Sequence, residues 1–123
     1  MALVALAAVA LGHPGAVGAA DPDPWFGPDK ALHFEAAGSL AVVGYAGAAM
    51  ITTDRPVRAG AGLALGLGAG VAKELWDLDG HGDPSWRDLT WDLIGATTGA
   101  LVALAIDWTV HRTFNWPVGR QAR

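Results

Sequence analysis

The feature that most constrains the fold is a set of three long stretches that contain no charged side chain. They cover Ala36–Thr53, Ala59–Ala72 and Leu93–Ile106, which are 18, 14 and 14 residues long. The segments TTDRP and DGHGDP, which favour turns, lie between them. None of the stretches has a polar stripe along one side, as a helix on the surface of a water-soluble protein does. The pattern predicts three helices, at about Lys30–Ile51, Val57–Asp77 and Ser85–His111.

Glycine recurs inside these helices at intervals of about one helical turn. The second helix contains Gly62, Gly66 and Gly70, and the third contains Gly95 and Gly99. In a water-soluble helix each glycine costs about 1 kcal/mol relative to alanine, whereas in lipid small residues at this spacing let helix backbones pack closely. We therefore expect an all-α fold, a membrane-embedded bundle of three glycine-rich helices that pack through these five glycines. A water-soluble bundle rich in alanine and glycine is the alternative.

The N-terminus contains a further apolar segment, from Ala2 to Leu11, which small residues follow as far as Ala20. This pattern is typical of a secretory signal that is cleaved before Asp21, although its positively charged first region is missing. An uncleaved anchor is the alternative. The predicted organisation is a signal peptide or anchor in residues 1–20, a three-helix membrane domain in residues 21–112 and a short basic cytoplasmic tail in residues 113–123.

Charge and cysteine content exclude several classes of function. The net charge is −4 and the basic residues do not cluster, so we expect no nucleic-acid partner. The chain has no cysteine, which excludes disulfides, thiolate metal sites and a lipid-modified cysteine anchor.

The basic residues predict how the helices are oriented. Arg55 and Arg58 lie between the first two helices, and Arg112, Arg120 and Arg123 follow or end the third. If the helices alternate in direction, these residues share one side, which the positive-inside tendency makes cytoplasmic. The tryptophans divide between the two membrane boundaries, as in aromatic belts: Trp25, Trp76, Trp86 and Trp91 at the outer boundary, and Trp108 and Trp116 at the inner one. Because two uncharged stretches are shorter than the ~20 residues that span a bilayer, charged helix ends must reach the membrane boundary.

Ionisable residues gather where the first helix begins, the second ends and the third begins. On each helix they continue the stripe of small residues, so at about 100° per residue they face the neighbouring helices rather than lipid. We call this predicted group, on the outer side of a cell membrane, the polar cluster: Asp29, Lys30, His33, Lys73, Glu74, Asp77, Asp88 and Asp92.

Three segments in the same order carry a resemblance to known families: DKALHF from Asp29, KELWD from Lys73 and SWRDLTWDLIGATTG from Ser85. The chain resembles the YfiM-like bacterial family of small exported lipoproteins over about residues 29–105, and more distantly the VanZ-like membrane proteins. The resemblance implies a bacterial envelope protein with the polar cluster as its motif positions, and no activity can be carried over from it. The chain departs from the family in lacking the lipoprotein cysteine.

The acids of the polar cluster outnumber its bases, which favours a bound cation because buried unpaired charge is costly. Carboxylate and imidazole ligands suit Ca²⁺, Mg²⁺ or Mn²⁺ and also accept Zn²⁺. The alternative is an interhelical network in which Lys73 and Arg87 neutralise acids. No cofactor is required by the sequence, and the candidate ligands of a divalent cation are His33, Glu74, Asp77, Asp88 and Asp92.

The segment from Asp77 to Asp88 partly matches a calcium-binding EF-hand loop, with Gly82 at its sixth position. His81 and Pro84 occupy positions that do not suit that loop, and an Asp/Gly/Pro turn is the preferred interpretation. Ser85 lies near His81 and Asp83 in sequence, but no nucleophile-elbow motif surrounds it.

Two classes of function follow from these patterns. The first is a non-enzymatic envelope protein whose polar cluster holds the helices together or binds a partner or a cation. The second is a metal-dependent membrane enzyme that acts on lipid-linked or cell-wall substrates, with His33 as base. The expected partners are membrane lipid, and a second copy of the chain or another envelope protein.

Overall fold

A computed structural model describes residues 21–114 of the chain. Within them the backbone forms three helices and no strand: α1 (Pro28–Ala49), α2 (Arg55–Trp76) and α3 (Trp86–Phe114). The prediction of an all-α fold with three helices is therefore confirmed. The predicted signal or anchor, residues 1–20, lies outside the described residues, as do residues 115–123 of the predicted tail.

Each helix begins where the sequence offers a start signal. Pro28 occupies the first turn of α1, where a missing N–H leaves no hydrogen bond unmade. The carboxylate of Asp54 accepts a hydrogen bond from the backbone N–H of Val57 at 3.2 Å and caps α2. The hydroxyl of Ser85 accepts one from the N–H of Asp88, also at 3.2 Å, and caps α3.

The helices end in short turns. A turn over Asp77–His81 continues α2, and within it Gly80 has φ of 91°, a left-handed conformation that side chains beyond glycine rarely adopt. This turn reverses the chain towards α3. The C-terminal end of α3 lies at Phe114, three residues beyond the predicted end at His111.

The three helices all contact one another and alternate in direction. At one end the side chain of Lys30 on α1 contacts Asp88 on α3, and Lys73 near the end of α2 faces the same carboxylate. At the other end Tyr45 on α1 contacts Asp107 on α3. The predicted alternation therefore places the start of α1, the end of α2 and the start of α3 side by side.

The core between the helices is built from small side chains. Alanines from α1 and α3 form its fully buried part, and two half-buried leucines of α2 pack against them: Ala37, Ala41, Ala96 and Ala100, with Leu63 and Leu67. Such small side chains bring the helix axes close together.

All five glycines that were predicted to pack helices lie at helix–helix contacts. A methyl group added at any of them would come within 3.0 Å of a neighbouring helix. The neighbouring groups are the backbone of α1 for Gly62, Gly66, Gly95 and Gly99, and the carboxylate of Asp92 for Gly70.

Large apolar side chains point away from the bundle. Val43, Leu101 and Ile106 are each close to 60% exposed, at 59%, 58% and 58%. Among the described helices α3 alone is both long and apolar enough to cross a membrane by length and composition. In α1 and α2, glycine and alanine replace larger apolar residues and lower the hydropathy. The embedding of all three helices stays a prediction.

Gly66 and Gly68 offer a matched test of the close packing. In Gly66→Ala the new methyl would meet the carbonyl oxygen of Ala37 and lie 2.9 Å from the Cβ of Ala96, whereas at Gly68 nothing lies within 4 Å. We expect Gly66→Ala to lower the free energy of unfolding by about 1–3 kcal/mol through overpacking. Gly68→Ala should be neutral or stabilising by up to about 1 kcal/mol. Thermal unfolding of both variants in detergent checks this, and equal stabilities would contradict the described α1–α2 contact.

Candidate functional site

Lys30 is the most deeply buried large side chain of the described protein, at 2% exposure. It lies in the first turn of α1, and its ammonium donates hydrogen bonds to the carboxylates of Asp29, at 2.8 Å, and Asp88, at 2.5 Å. A third bond goes to Asp23, which precedes the helix. An ammonium has three donors and no acceptor, so these carboxylates satisfy it completely.

His33 lies one turn further along α1 and connects to two carboxylates of α3. Its Nδ1 is 2.9 Å from Asp92 Oδ1, and its Nε2 is 3.3 Å from Asp88 Oδ2. Asp88 and Asp92 are four residues apart and therefore lie on one face of α3. Both ring nitrogens are thus occupied by carboxylates.

The end of α2 supplies the third side of the polar cluster. Lys73 donates to Asp77 Oδ2 at 2.7 Å and to Glu74 Oε1 at 3.2 Å, and its Nζ lies 3.6 Å from Asp88 Oδ2. The other oxygen of Glu74 accepts a hydrogen bond from the backbone N–H of Ser85 at 2.5 Å. Glu74 therefore fixes the start of α3 against the end of α2. All eight residues of the predicted polar cluster are brought together.

Sequence reasoning missed Asp23, which lies before α1 and outside any helical period. Its carboxylate accepts hydrogen bonds from Lys30 and from the hydroxyl of Ser85, the latter at 2.7 Å. The Lys30 ammonium and the Ser85 hydroxyl hold the pKa of Asp23 below its ordinary value of 3.8. Because the folded-state pKa is depressed, the stability from these contacts is present above about pH 3.8 and is lost as the pH falls below it.

Arg87 has a role that differs from the predicted one, whereas Ser85 caps the third helix at its predicted start. Arg87 does not neutralise acids of the polar cluster but pairs with Asp21 at 2.7 Å and with the backbone carbonyl of Asp23. Ser85 is engaged by Asp23 and by the α3 backbone, while the ring of His81 stacks on Trp76 with centroids 3.9 Å apart. The described contacts place Ser85 in a cap rather than beside a base.

The polar cluster contains more acid than base. Two lysines and one histidine face the five carboxylates of the cluster and that of Asp23, six in all, and one oxygen of Asp92, Oδ2, is buried without a hydrogen-bond partner and packs against Gly70. A buried carboxylate oxygen without a donor is costly. The six carboxylates belong to Asp23, Asp29, Glu74, Asp77, Asp88 and Asp92.

Two groups of side chains in the cluster could hold a metal ion. His33, Glu74 and Asp88 each offer a ligand atom within 4.8 Å of the others, and so do Asp23, Asp29 and Asp88. The remaining predicted ligands lie beside these groups: Asp77 binds Lys73 and Asp92 binds His33. In the loop, Asp79 and Asp83 are exposed and point to no common centre with Asp88, which favours the turn over the EF-hand interpretation.

A second polar group, also missed from the sequence, lies at the opposite end of the bundle. Asp107 on α3 accepts hydrogen bonds from the hydroxyl of Tyr45 at 2.7 Å, from Arg58 at 2.9 Å and from Arg55 at 3.1 Å. The pattern had identified the arginines only as topological signals, yet Arg58 is buried at 7% exposure. Asp107 is the first charged residue after the uncharged stretch Leu93–Ile106. That position is the sequence signal that could have identified Asp107 as a polar contact.

Comparisons of the chain with models of protein families, with curated proteins and with solved structures gave no match.

Lys30 and Lys73 provide a matched pair for testing the cluster, because the side chain of Lys30 is 2% exposed and that of Lys73 is 45% exposed. Lys30→Met leaves the carboxylates of Asp23, Asp29 and Asp88 without their shared cation. We expect a loss of about 3–5 kcal/mol in the free energy of unfolding, as for breaking a buried ion pair. Lys73→Met should cost about 1 kcal/mol or less. Chemical denaturation in detergent measures both, and a larger effect at Lys73 would contradict the central position of Lys30.

Proposed function

We propose that this chain is a small membrane protein of the bacterial cell envelope, in which the polar cluster clamps three membrane-embedded helices together at the outer face. The observation that carries the proposal is the buried ammonium of Lys30, which joins the start of α1 to α3 and to the segment before α1. The resemblance to the YfiM-like family agrees with an envelope location.

The distribution of side-chain size supports the membrane location. Small residues fill the contacts between helices, whereas valine, leucine and isoleucine face outward along their length. In water so much exposed apolar surface would be an aggregation or docking surface. In lipid it is the surface that contacts acyl chains, and close packing of small residues then holds the helices together.

The two ends of the bundle support the same location. Ionisable side chains gather at the ends and point inward to partners on other helices, as intramembrane charges do. Exposed tryptophans occur at both ends: Trp25, Trp76 and Trp86 beside the polar cluster, and Trp108 at the other end. That distribution suits aromatic belts at two interfaces.

A cysteine-free chain allows a direct test of the orientation. Asp83 lies in the exposed α2–α3 turn and Thr53 in the exposed α1–α2 turn. In intact cells we expect Asp83→Cys to react with a membrane-impermeant maleimide, and Thr53→Cys to react only after the membrane is opened. Labelling of both from one side would contradict the three-span topology.

A second candidate function is the binding of a divalent cation at the cluster. The unpartnered Asp92 Oδ2, the excess of acids and the convergence of His33, Glu74 and Asp88 favour it. Such a cation would also be the starting point of a metal-dependent membrane enzyme acting on lipid-linked or cell-wall substrates. His33 suits the role of base less well than the sequence predicts, because Asp88 and Asp92 occupy both ring nitrogens.

Two substitutions of Asp92 distinguish an interhelical clamp from a divalent-cation site. Asp92→Asn keeps an acceptor for His33 and removes an unpartnered charge, so the clamp predicts a stability close to or above that of the wild type. Asp92→Leu leaves the histidine N–H without its acceptor, at a cost of about 1–3 kcal/mol. Thermal unfolding in detergent, with and without a chelator, measures both.

The cation candidate predicts a different pattern. The wild type should lose stability in chelator, whereas Asp92→Asn should no longer respond to it, and metal analysis should find a stoichiometric divalent ion only in the wild type. A chelator-insensitive wild type with a mild asparagine and a harmful leucine variant would exclude the cation candidate.

A further inference from the structure

A cavity of about 690 Å³ lies between α1 and α2 and extends from the polar cluster along both helices. Its volume is in the range of small-molecule binding pockets. The part nearest the polar cluster is lined by acids, including Asp83 at the mouth and Asp92 at depth. Beyond His33 along α1 and Lys73 along α2, the walls are apolar, formed by Ala36 and Leu40 of α1 and Ala69 of α2. The cavity is therefore amphipathic along its length.

The acidic part of the cavity favours a ligand with a positively charged head group. Asp92 is 2% exposed and lines the cavity beside Gly70, against which its unpartnered oxygen packs. The five carboxylates of the cluster and that of Asp23 together exceed the charges of Lys30 and Lys73, and they would still exceed them with His33 protonated. Even a bound divalent cation would not reverse the sign. An anionic head group would consequently be repelled, and a cationic one attracted.

The chemistry of the cluster favours an ammonium as that cation. Two ammonium groups of the chain are already held here, each by several carboxylates: Lys30 by Asp23, Asp29 and Asp88, and Lys73 by Glu74 and Asp77. A primary amine brings three donors, which suits side chains that offer acceptors in several directions.

The apolar part suits a hydrocarbon chain. Along α1 the lining runs for about 16 Å from Asp29 to Leu40 at about 1.5 Å per residue, and the apolar part beyond His33 covers about 10 Å of it. We propose that this cavity binds an amphiphile with a primary-amine head group, the ammonium among the acids of the cluster and a single apolar chain along the α1–α2 seam. The proposal rests on the proposed membrane location and does not require the divalent cation.

The test uses the full chain in phosphatidylcholine nanodiscs with chelator present. Dodecylamine is the probe, and dodecanol and dodecyltrimethylammonium supply the same chain without the charge or without the N–H donors. At about five times its Kd, dodecylamine should raise Tm by about 4–8 °C, whereas dodecyltrimethylammonium at the same concentration should raise it less and dodecanol should leave it unchanged.

Three variants locate the effect. Asp92→Asn should remove most of the rise caused by dodecylamine, and Asp83→Asn should remove a smaller part of it, because Asp83 lies at the exposed mouth of the cavity. Glu35→Gln is the matched control, because Glu35 lies on α1 but lines the groove between α1 and α3. It should retain the full rise.

The outcomes distinguish this proposal from the proposed function. A chain that does not enter nanodiscs would overturn both. A chain that enters them but responds equally to dodecylamine and dodecanol, or loses its response in Glu35→Gln as in Asp92→Asn, would overturn the amine site alone. A response to Ca²⁺ or Mg²⁺ without chelator, in place of dodecylamine, would overturn the amine site and support the divalent-cation candidate.

Discussion

The arrangement of the bundle depends on the contact between the Lys30 ammonium and the carboxylates of Asp88 and Asp23. A charge buried among apolar helices is tolerated only when it is paired and hydrogen-bonded. Because the partners of Lys30 come from different parts of the chain, its desolvation is offset only when α1, α3 and the segment before α1 are assembled together. Glu74 extends the same condition to α2 through the backbone of Ser85. In this mutual arrangement of the helices, the three donors of Lys30 and the backbone N–H of Ser85 are all paired.

Small side chains impose the complementary constraint along the helices. With glycine and alanine at the contacts, the helix backbones approach so closely that no space remains between them for leucine or valine. Most of the larger apolar residues therefore face outward, while Leu63 and Leu67 pack at the edge of the core. The small residues at the helix contacts thus cause both the close packing and the outward position of the larger apolar side chains. A bundle built this way has little hydrophobic driving force for association of its helices in water.

The fold was largely predictable because its signals are local. Pro28, the Asp54 cap and Ser85 mark the helix starts, and the glycine stripe of α2 continues into Glu74 and Lys73, so the face of each helix could be assigned. The pairings were not predictable. Asp23 precedes any helical period, and Asp107 meets Tyr45 and Arg58 across more than forty residues of chain. Periodicity determines which way a residue faces, but which residue lies opposite depends on the relative heights of the helices.

Those heights have a consequence for the surrounding bilayer. A fifteen-residue interval separates the two polar ends on every helix: Lys30 to Tyr45 on α1, Arg58 to Lys73 on α2 and Asp92 to Asp107 on α3. At about 1.5 Å per residue, the polar ends are about 22 Å apart, whereas the hydrocarbon core of a typical bilayer is about 30 Å thick. In the proposed location the bundle is a short one with a hydrophobic mismatch, and the lipid beside it has to thin to meet both polar ends. Because thinning the lipid costs free energy, the bundle in this location is more stable in a thin membrane, or beside other proteins that share the thinned lipid.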